Sequence, residues 1–163
     1  MSTKRIRSRQ PHGFTLIELL LTMVILTLLA GGAMTFADLA IQRNREQELR
    51  TALRQIREAI DAYKQAADAN RIRKAADETG YPRSLEELTE GVPDIASTKG
   101  AKRYFLRRLP RDPFADPSVP AATTWGLRSY ASEPDNPQSG RDVFDVYSLS
   151  SRRSMNGQPY RSW

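Results

Sequence analysis

The sequence predicts an α+β protein in which a long N-terminal helix packs on a small antiparallel sheet near the C-terminus. Three observations predict this fold class. Residues 14–37 are almost entirely apolar, helical periodicity continues beyond them to about residue 78, and segments rich in β-branched and aromatic residues follow within 124–149. No proline lies between residues 14 and 81, so no residue in that stretch forces a long helix to break.

The apolar segment, residues 14–37, has the length of a membrane-spanning helix. It would form a helix of roughly 36 Å, and the hydrocarbon core is about 30 Å thick, so one tilted pass fits. Four basic residues and no acidic residue precede it: Lys4, Arg5, Arg7 and Arg9. This asymmetry predicts a cytoplasmic N-terminus and an exported remainder. The alternative is a cleaved secretory signal with a small-residue site near residues 30–33, although the apolar core of such a signal is shorter, about 7–15 residues.

The only ionisable side chain in residues 14–37 is that of Glu18. An acidic residue at the centre of a bilayer costs about 2.5–3.5 kcal/mol, and somewhat less near the edge. We therefore expect a partner cation to reach Glu18 after insertion, because an ion pair in low dielectric is far stronger than in water. The alternative is a snorkelling or simply protonated glutamate that has no partner.

Residues 38–78 are predicted to continue the helix as an amphipathic half. Apolar side chains recur there at spacings of 4, 3, 4 and 3, which places them on one helical face: Leu49, Leu53, Ile56, Ile60 and Tyr63. Charged side chains populate the other faces, and Asn70 is the position at which the helix could bend or end. The apolar stripe predicts packing on a globular head, because the repeat is too short for the alternative of a free coiled coil.

Residues 79–163 are predicted to form this head, and its first part holds a short helix. Ser84 begins the pattern Ser-Leu-Glu-Glu, a capping box with Glu87 at the third helical position, and Gly91 is expected to stop the helix. Two Asp-Pro pairs follow at residues 112–113 and 116–117. Because proline restricts the residue before it to extended or turn geometry, these pairs predict a fixed corner rather than a site of chemistry.

The second part of the head is predicted to be an antiparallel hairpin. Residues 124–131 and 142–149 have the composition of strands, and a polar loop with two prolines and one glycine joins them. Near the C-terminus, Tyr160 and Trp163 are expected to fold back as anchors, because a loose tail would rarely carry both.

Composition argues against nucleic-acid binding and against catalysis. Four of the 25 basic residues lie within the first 13 positions, which leaves 21 basic against 19 acidic residues and only a weakly basic chain. The chain has no cysteine, and its single histidine is His12. Beyond residue 13 there is thus no His–Ser or His–Cys pair and no cysteine or histidine zinc site. An anchored enzyme would need a carboxylate pair or another metal, and no such cluster stands out, so we predict no catalytic residue.

The stretch Gly13-Phe14-Thr15-Leu16-Ile17-Glu18-Leu19 resembles the class III leader junction of type IV pilins and type II secretion pseudopilins. In that superfamily a prepilin peptidase cuts after the glycine and methylates the new N-terminus. The resemblance implies that residues 1–13 are the cytoplasmic leader and that Gly13 ends it. It also implies that Phe14 becomes the N-methylated terminus and that Glu18 is the fifth residue of the mature chain. The new Phe14 amine could then pair with the Glu18 carboxylate of the same chain or of the next subunit, and we expect the pairing between subunits in the assembled filament.

Downstream pieces are similar to the major, G-type pseudopilin of type II secretion: residues 81–82, 109–114 and 145–149, and Trp163. This similarity implies a type IV pilin-like fold and a single-pass inner-membrane protein whose C-terminal domain is periplasmic. The implied function is a structural one, a homopolymeric periplasmic filament that drives protein export. Its implied partners are prepilin peptidase, an inner-membrane assembly platform and minor pseudopilins. The alternative is a type IV pilus subunit for adhesion, motility or DNA uptake, although many such pilins close their C-terminal region with a cysteine pair.

Members of this family often bind calcium through acidic side chains in the loop after the final strand. The corresponding loop here, residues 150–157, has no carboxylate and carries Arg152 and Arg153. Calcium prefers several hard, anionic oxygens, so we expect no metal or other cofactor. Asp116, Asp142 and Asp145 could contribute oxygens, but turn caps and solvated strand positions are the roles that we predict for them.

Overall fold

The computed structural model describes residues 14–163, except for the side chains of residues 32–36. Its first helix, α1, spans Leu16–Asp68. The chain divides into two compact units between Ile41 and Gln42. In the second unit, the α1 residues from Gln42 onward pack against small antiparallel sheets, which confirms the predicted α+β class.

The helix α1 ends earlier than the predicted residue 78. Asn70 adopts a left-handed backbone with φ of 53°, its N–H donates to Ala67 O (3.0 Å), and the Arg71 N–H donates to Ala66 O (2.8 Å). These two bonds form a Schellman motif, in which a left-handed residue just past the helix satisfies the last carbonyls. The predicted continuation of the helix to residue 78 was therefore wrong, whereas the expectation that the helix could end at Asn70 is confirmed.

The short helix α2 spans Glu87–Glu90, and the predicted capping box was wrong. The Glu87 carboxylate accepts bonds from the Tyr63 hydroxyl and the Arg83 N–H, both at 3.1 Å. The Glu87 side chain, which was expected to complete the capping box with Ser84, is thus hydrogen-bonded to Tyr63 of α1 instead. The helix α2 begins three residues after Ser84. Gly91 ends α2 as predicted, with φ of 75° and its N–H on Glu87 O.

The head contains two separate two-stranded antiparallel sheets rather than one. The strands β1, Val92–Pro93, and β2, Lys102–Arg103, form the first sheet, which was not predicted. The strands β3, Trp125–Arg128, and β4, Asp145–Ser148, form the second, with Trp125 opposite Ser148. This pair confirms the predicted hairpin with shorter strands. Two 3-10 turns, Ala121–Thr124 and Tyr160–Ser162, flank these strands.

The core of the second unit forms around the predicted apolar stripe of α1. All five stripe residues are buried, and they share one cluster with side chains in or next to α2, the second sheet and the C-terminal turn: Leu85, Leu88, Trp125, Val143, Val146 and Tyr160. The Tyr160 side chain is fully buried; it stacks on Phe114 (centroids 4.2 Å apart) and meets Trp163 edge-on. The expectation that the C-terminal aromatics fold back is thus confirmed.

The predicted corner is built around Asp112, whose side chain is only 1% exposed. Its carboxylate accepts bonds from Ser148 Oγ (2.5 Å) and from the Phe114 N–H (2.8 Å). The first bond joins the corner to β4, and the second fixes the turn that follows Pro113. The Asp-Pro pair therefore anchors the second sheet as well as the turn.

A carboxylate clasp holds the first sheet to the chain that follows α1. Asp94 accepts bonds from Arg71 Nε and Nη2 (3.2 and 3.0 Å) and from Arg103 Nη2 (3.1 Å). The Ile95 N–H also donates to Arg71 O (2.8 Å). The hydrogen bonds from Arg71 are the largest cause that lowers the pKa of Asp94 far below its usual range, and the Arg103 bond adds to it.

The clasp predicts acid sensitivity of the first sheet. Because the pKa of Asp94 is depressed on folding, its contribution to stability is present above the unfolded value of about 3.9 and is lost as the pH falls through the folded value. We expect wild type to be more stable than Asp94→Asn at neutral pH, with an advantage that shrinks below about pH 4. Urea unfolding of both proteins across that range measures it. The exposed Asp135→Asn is the matched control, and an advantage that stays constant with pH would contradict the clasp.

Candidate processing and assembly site

The first turn of α1 carries the predicted assembly residue. Thr15 precedes the helix, and its Oγ1 accepts the Glu18 N–H (3.3 Å), while its carbonyl oxygen accepts the Leu19 N–H (3.1 Å). Thr15 is therefore an N-cap, and Glu18 occupies the third helical position, as in a capping box. This geometry holds the Glu18 carboxylate near the positive end of the helix dipole and four residues from Phe14.

Sequence reasoning missed the role of Thr15. The signal was present in Thr15-Leu16-Ile17-Glu18, which is the same spacing that was assigned to Ser84 and Glu87. In the head, the Tyr63 hydroxyl donates to the Glu87 carboxylate, whereas at the start of α1 the Thr15 hydroxyl oxygen accepts the Glu18 N–H. Only the N-terminal pattern therefore forms an N-cap. Thr15 therefore fixes the position along the chain at which α1 begins.

The described side chains of residues 14–31 are all exposed, and most of them are apolar. Phe14 is 75% exposed and Leu16 is 78% exposed. The two hydroxyls further along donate back into the helix, from Thr22 to Leu19 O (2.9 Å) and from Thr27 to Val24 O (2.8 Å). Their polarity is thus satisfied internally, as in helices that lie in an apolar medium. An uncovered apolar surface of this extent marks a segment that lipid or protein covers.

Among the residues that the structure describes, no helix combines the length and the apolar character that a membrane span requires.

The structure describes two of the three predicted site residues, Phe14 and Glu18. Gly13 lies outside the described residues. Phe14 and Glu18 are both exposed, and both lie in the first unit. The structure thus brings the prospective N-terminal residue and the carboxylate to the same end of α1, and the cleavage itself remains a prediction.

The contacts of the head correct the predicted role of Asp145, which was expected at a turn cap or a solvated strand position. Its carboxylate instead accepts bonds from Arg57 Nε (2.8 Å) and Arg128 Nη2 (3.2 Å). Arg57 also donates to Val146 O (3.0 Å) and Trp163 O (2.7 Å). A single arginine of α1 thus joins β4 and the C-terminal turn, and no local sequence pattern identifies its partners.

The other two aspartates that could have served a metal also have protein partners. Asp142 was also expected at a turn cap or a solvated strand position, but it is buried and accepts bonds from Thr79 Oγ1, Ser129 Oγ and the Tyr130 N–H. Burial alone would raise the pKa of Asp142, but these bonds hold it below its ordinary value. Asp116 accepts the N–H and hydroxyl of Ser118, as expected of a turn cap. Within residues 14–163, no three His, Cys, Asp or Glu side chains come together in a group that could hold a metal ion.

The helix α1 begins with an apolar segment, and its residues from Gln42 onward pack in a small α+β head, which is consistent with a pilin-like fold. Residues 8–34 match the family described as the prokaryotic N-terminal methylation motif. This match indicates a prepilin substrate of the type IV pilin or pseudopilin type, that is, a membrane-anchored precursor that is processed and assembled as a structural subunit. The matched residues include Gly13, Phe14 and Glu18. No curated protein and no solved structure matches the chain.

Proposed function

We propose that this chain is a structural subunit of a periplasmic type II secretion pseudopilus, with no catalytic role of its own. Prepilin peptidase removes residues 1–13 and methylates Phe14. The subunit then polymerises in the inner membrane, and filament growth pushes exported proteins towards the outer membrane. The observation that carries this proposal is the methylation motif at residues 8–34, which is followed by exposed apolar side chains with one carboxylate among them.

The chemistry of assembly follows from that single carboxylate. Cleavage after Gly13 creates an ammonium group on Phe14, and a second subunit can present its Glu18 to that cation. In an apolar filament core this pair is strong, whereas either charge alone is costly. The pair therefore favours the assembled subunit over the isolated one and sets the register between neighbouring α1 helices.

A type IV pilus subunit is the competing function, because it would share the whole N-terminal motif. Two features of the sequence support the secretion filament. The chain lacks the cysteine pair with which many pilins close the C-terminal region, and it has the downstream residues that resemble a G-type pseudopilin. Deleting this gene in its native host separates the two functions, since loss of protein export supports the proposal and loss of surface filaments with normal export contradicts it.

The proposal predicts the exact start of the native polypeptide. Protein purified from native membranes should begin at N-methylphenylalanine, with Phe14 as residue one, and intact-mass and N-terminal peptide mass spectrometry would measure this. The peptidase-deficient strain is the control and should retain residues 1–13. A native chain that starts after residues 30–33 would show ordinary signal cleavage and would exclude both the pseudopilus and the pilus.

A further inference from the structure

The loop after β4 is fastened to α1 by the carboxylate of Glu46. Glu46 Oε1 accepts a bond from the Met155 N–H (2.9 Å) and another from the Tyr160 hydroxyl (2.9 Å). Gln42, one turn earlier, donates to the same oxygen (3.3 Å), to Tyr160 Oη (3.3 Å) and to Arg153 O (3.5 Å). Two side chains at the start of the second unit thus hold both ends of residues 153–160.

The loop itself presents little that a calcium ion could use. Ser154 Oγ is bonded to Asn156 Oδ1, which also accepts the Gln158 N–H (3.2 Å). Gly157 O accepts a bond from Arg153 Nη1 (3.0 Å). These three oxygens are therefore engaged within the loop, and two guanidinium groups add positive charge where a divalent cation would need negative charge.

The guanidinium group of Arg152 also has a packing role. Arg152 lies over the Phe114 ring at 5.3 Å, and Phe114 stacks on the fully buried Tyr160. A cation over an aromatic face is stabilising. The loop is consequently closed by a continuous series of contacts from Arg152 through Phe114 and Tyr160 to the carboxylate of Glu46.

We propose that Glu46 holds the C-terminal segment, residues 150–163, in the folded head without any metal ion. The carboxylate that closes this loop is supplied by α1 instead of by the loop, and it binds protein N–H and O–H donors instead of calcium. Folding of the segment is then independent of calcium concentration. This inference concerns the head alone and holds whether the assembled filament is a pseudopilus or a pilus.

Limited trypsin digestion of the full-length protein in detergent micelles tests the proposal, because Arg152 and Arg153 are themselves cleavage sites. Mass spectrometry of the released C-terminal peptide measures the rate at which the segment opens. We expect wild type to be cleaved there at the same rate, within about twofold, in EGTA and in millimolar calcium chloride. Glu46→Ala should be cleaved about tenfold faster or more, because charge-assisted bonds are lost and the hydroxyl of the buried Tyr160 loses its acceptor.

Two further variants and one internal reference make the result specific. Glu46→Gln keeps one acceptor oxygen without the charge and should show an intermediate rate, whereas Glu48→Ala, an exposed neighbour on α1, should match wild type. Cleavage after Arg103, which lies in β2, reports opening of the rest of the head. Three results would overturn the proposal: wild type that is protected only in calcium, both Glu46 variants behaving like Glu48→Ala, or equal acceleration at Arg103 and Arg152.

Discussion

Replacing Glu18 by alanine should give a chain that is still cut after Gly13 but no longer assembles. We expect cleavage to depend on Gly13 and Phe14, which the substitution leaves intact. In the proposed assembly, the Glu18 carboxylate is the partner of a neighbouring subunit's Phe14 ammonium, which would otherwise lie unpaired in apolar surroundings at a cost of several kcal/mol. We expect the amount of sedimentable filament to fall about tenfold or more, with the N-terminal residue unchanged by mass spectrometry.

Two substitutions separate charge from other properties of the position. Glu18→Gln keeps the size and hydrogen-bonding capacity of the side chain and should also fail to assemble, because it cannot pair with the ammonium group. Asp38→Ala removes the next acidic residue of α1 and should assemble normally. Filaments formed in normal amounts by either Glu18 variant would show that the carboxylate does not serve as the partner of Phe14.

The elements that could be predicted from sequence are those that depend on a repeating pattern. The apolar stripe from Leu49 to Tyr63 was correct because its spacing leaves only one face of α1 for the core. The helix end was less predictable, because residues 69–78 have a helical composition that a single left-handed Asn70 overrides. The strands of the second sheet were predictable from composition, but β1 and β2 are only two residues each and have no such signal.

Contacts between distant charged residues could not be predicted. Arg57 is one of several arginines on the exposed side of the stripe, and its sequence neighbourhood does not distinguish it from Arg50 or Arg54. Only the folded head shows that Arg57 reaches Asp145, which is 88 positions away. Glu46 is similar, because its donors lie more than a hundred residues further along the chain. The candidate site at Gly13, Phe14 and Glu18, in contrast, is local, so a single stretch of sequence specifies it.

Replacing Tyr160 by alanine should be among the most destabilising single changes in the head. The side chain is fully buried, stacks on Phe114, meets Trp163 edge-on and donates to Glu46. Truncating a buried aromatic residue costs about 3–5 kcal/mol because the apolar contacts are lost and a cavity remains. Here the Glu46 carboxylate also loses a donor. Urea unfolding of the full chain in detergent, followed by the fluorescence of Trp125 and Trp163, measures this change.

One variant separates the contribution of the Tyr160 hydroxyl from that of its aromatic packing, and a second serves as a surface control. Tyr160→Phe retains the stacking on Phe114 and removes only the hydroxyl, so we expect a loss of about 1.5–3 kcal/mol from the charge-assisted bond to Glu46 and the bond from Gln42. Tyr104→Ala removes a tyrosine that is 61% exposed, and its effect should be near the ±0.5 kcal/mol of ordinary surface changes. If Tyr160→Phe cost as much as Tyr160→Ala, the hydroxyl and Glu46 would dominate. The aromatic packing of the C-terminal turn would then contribute little to the stability of the head.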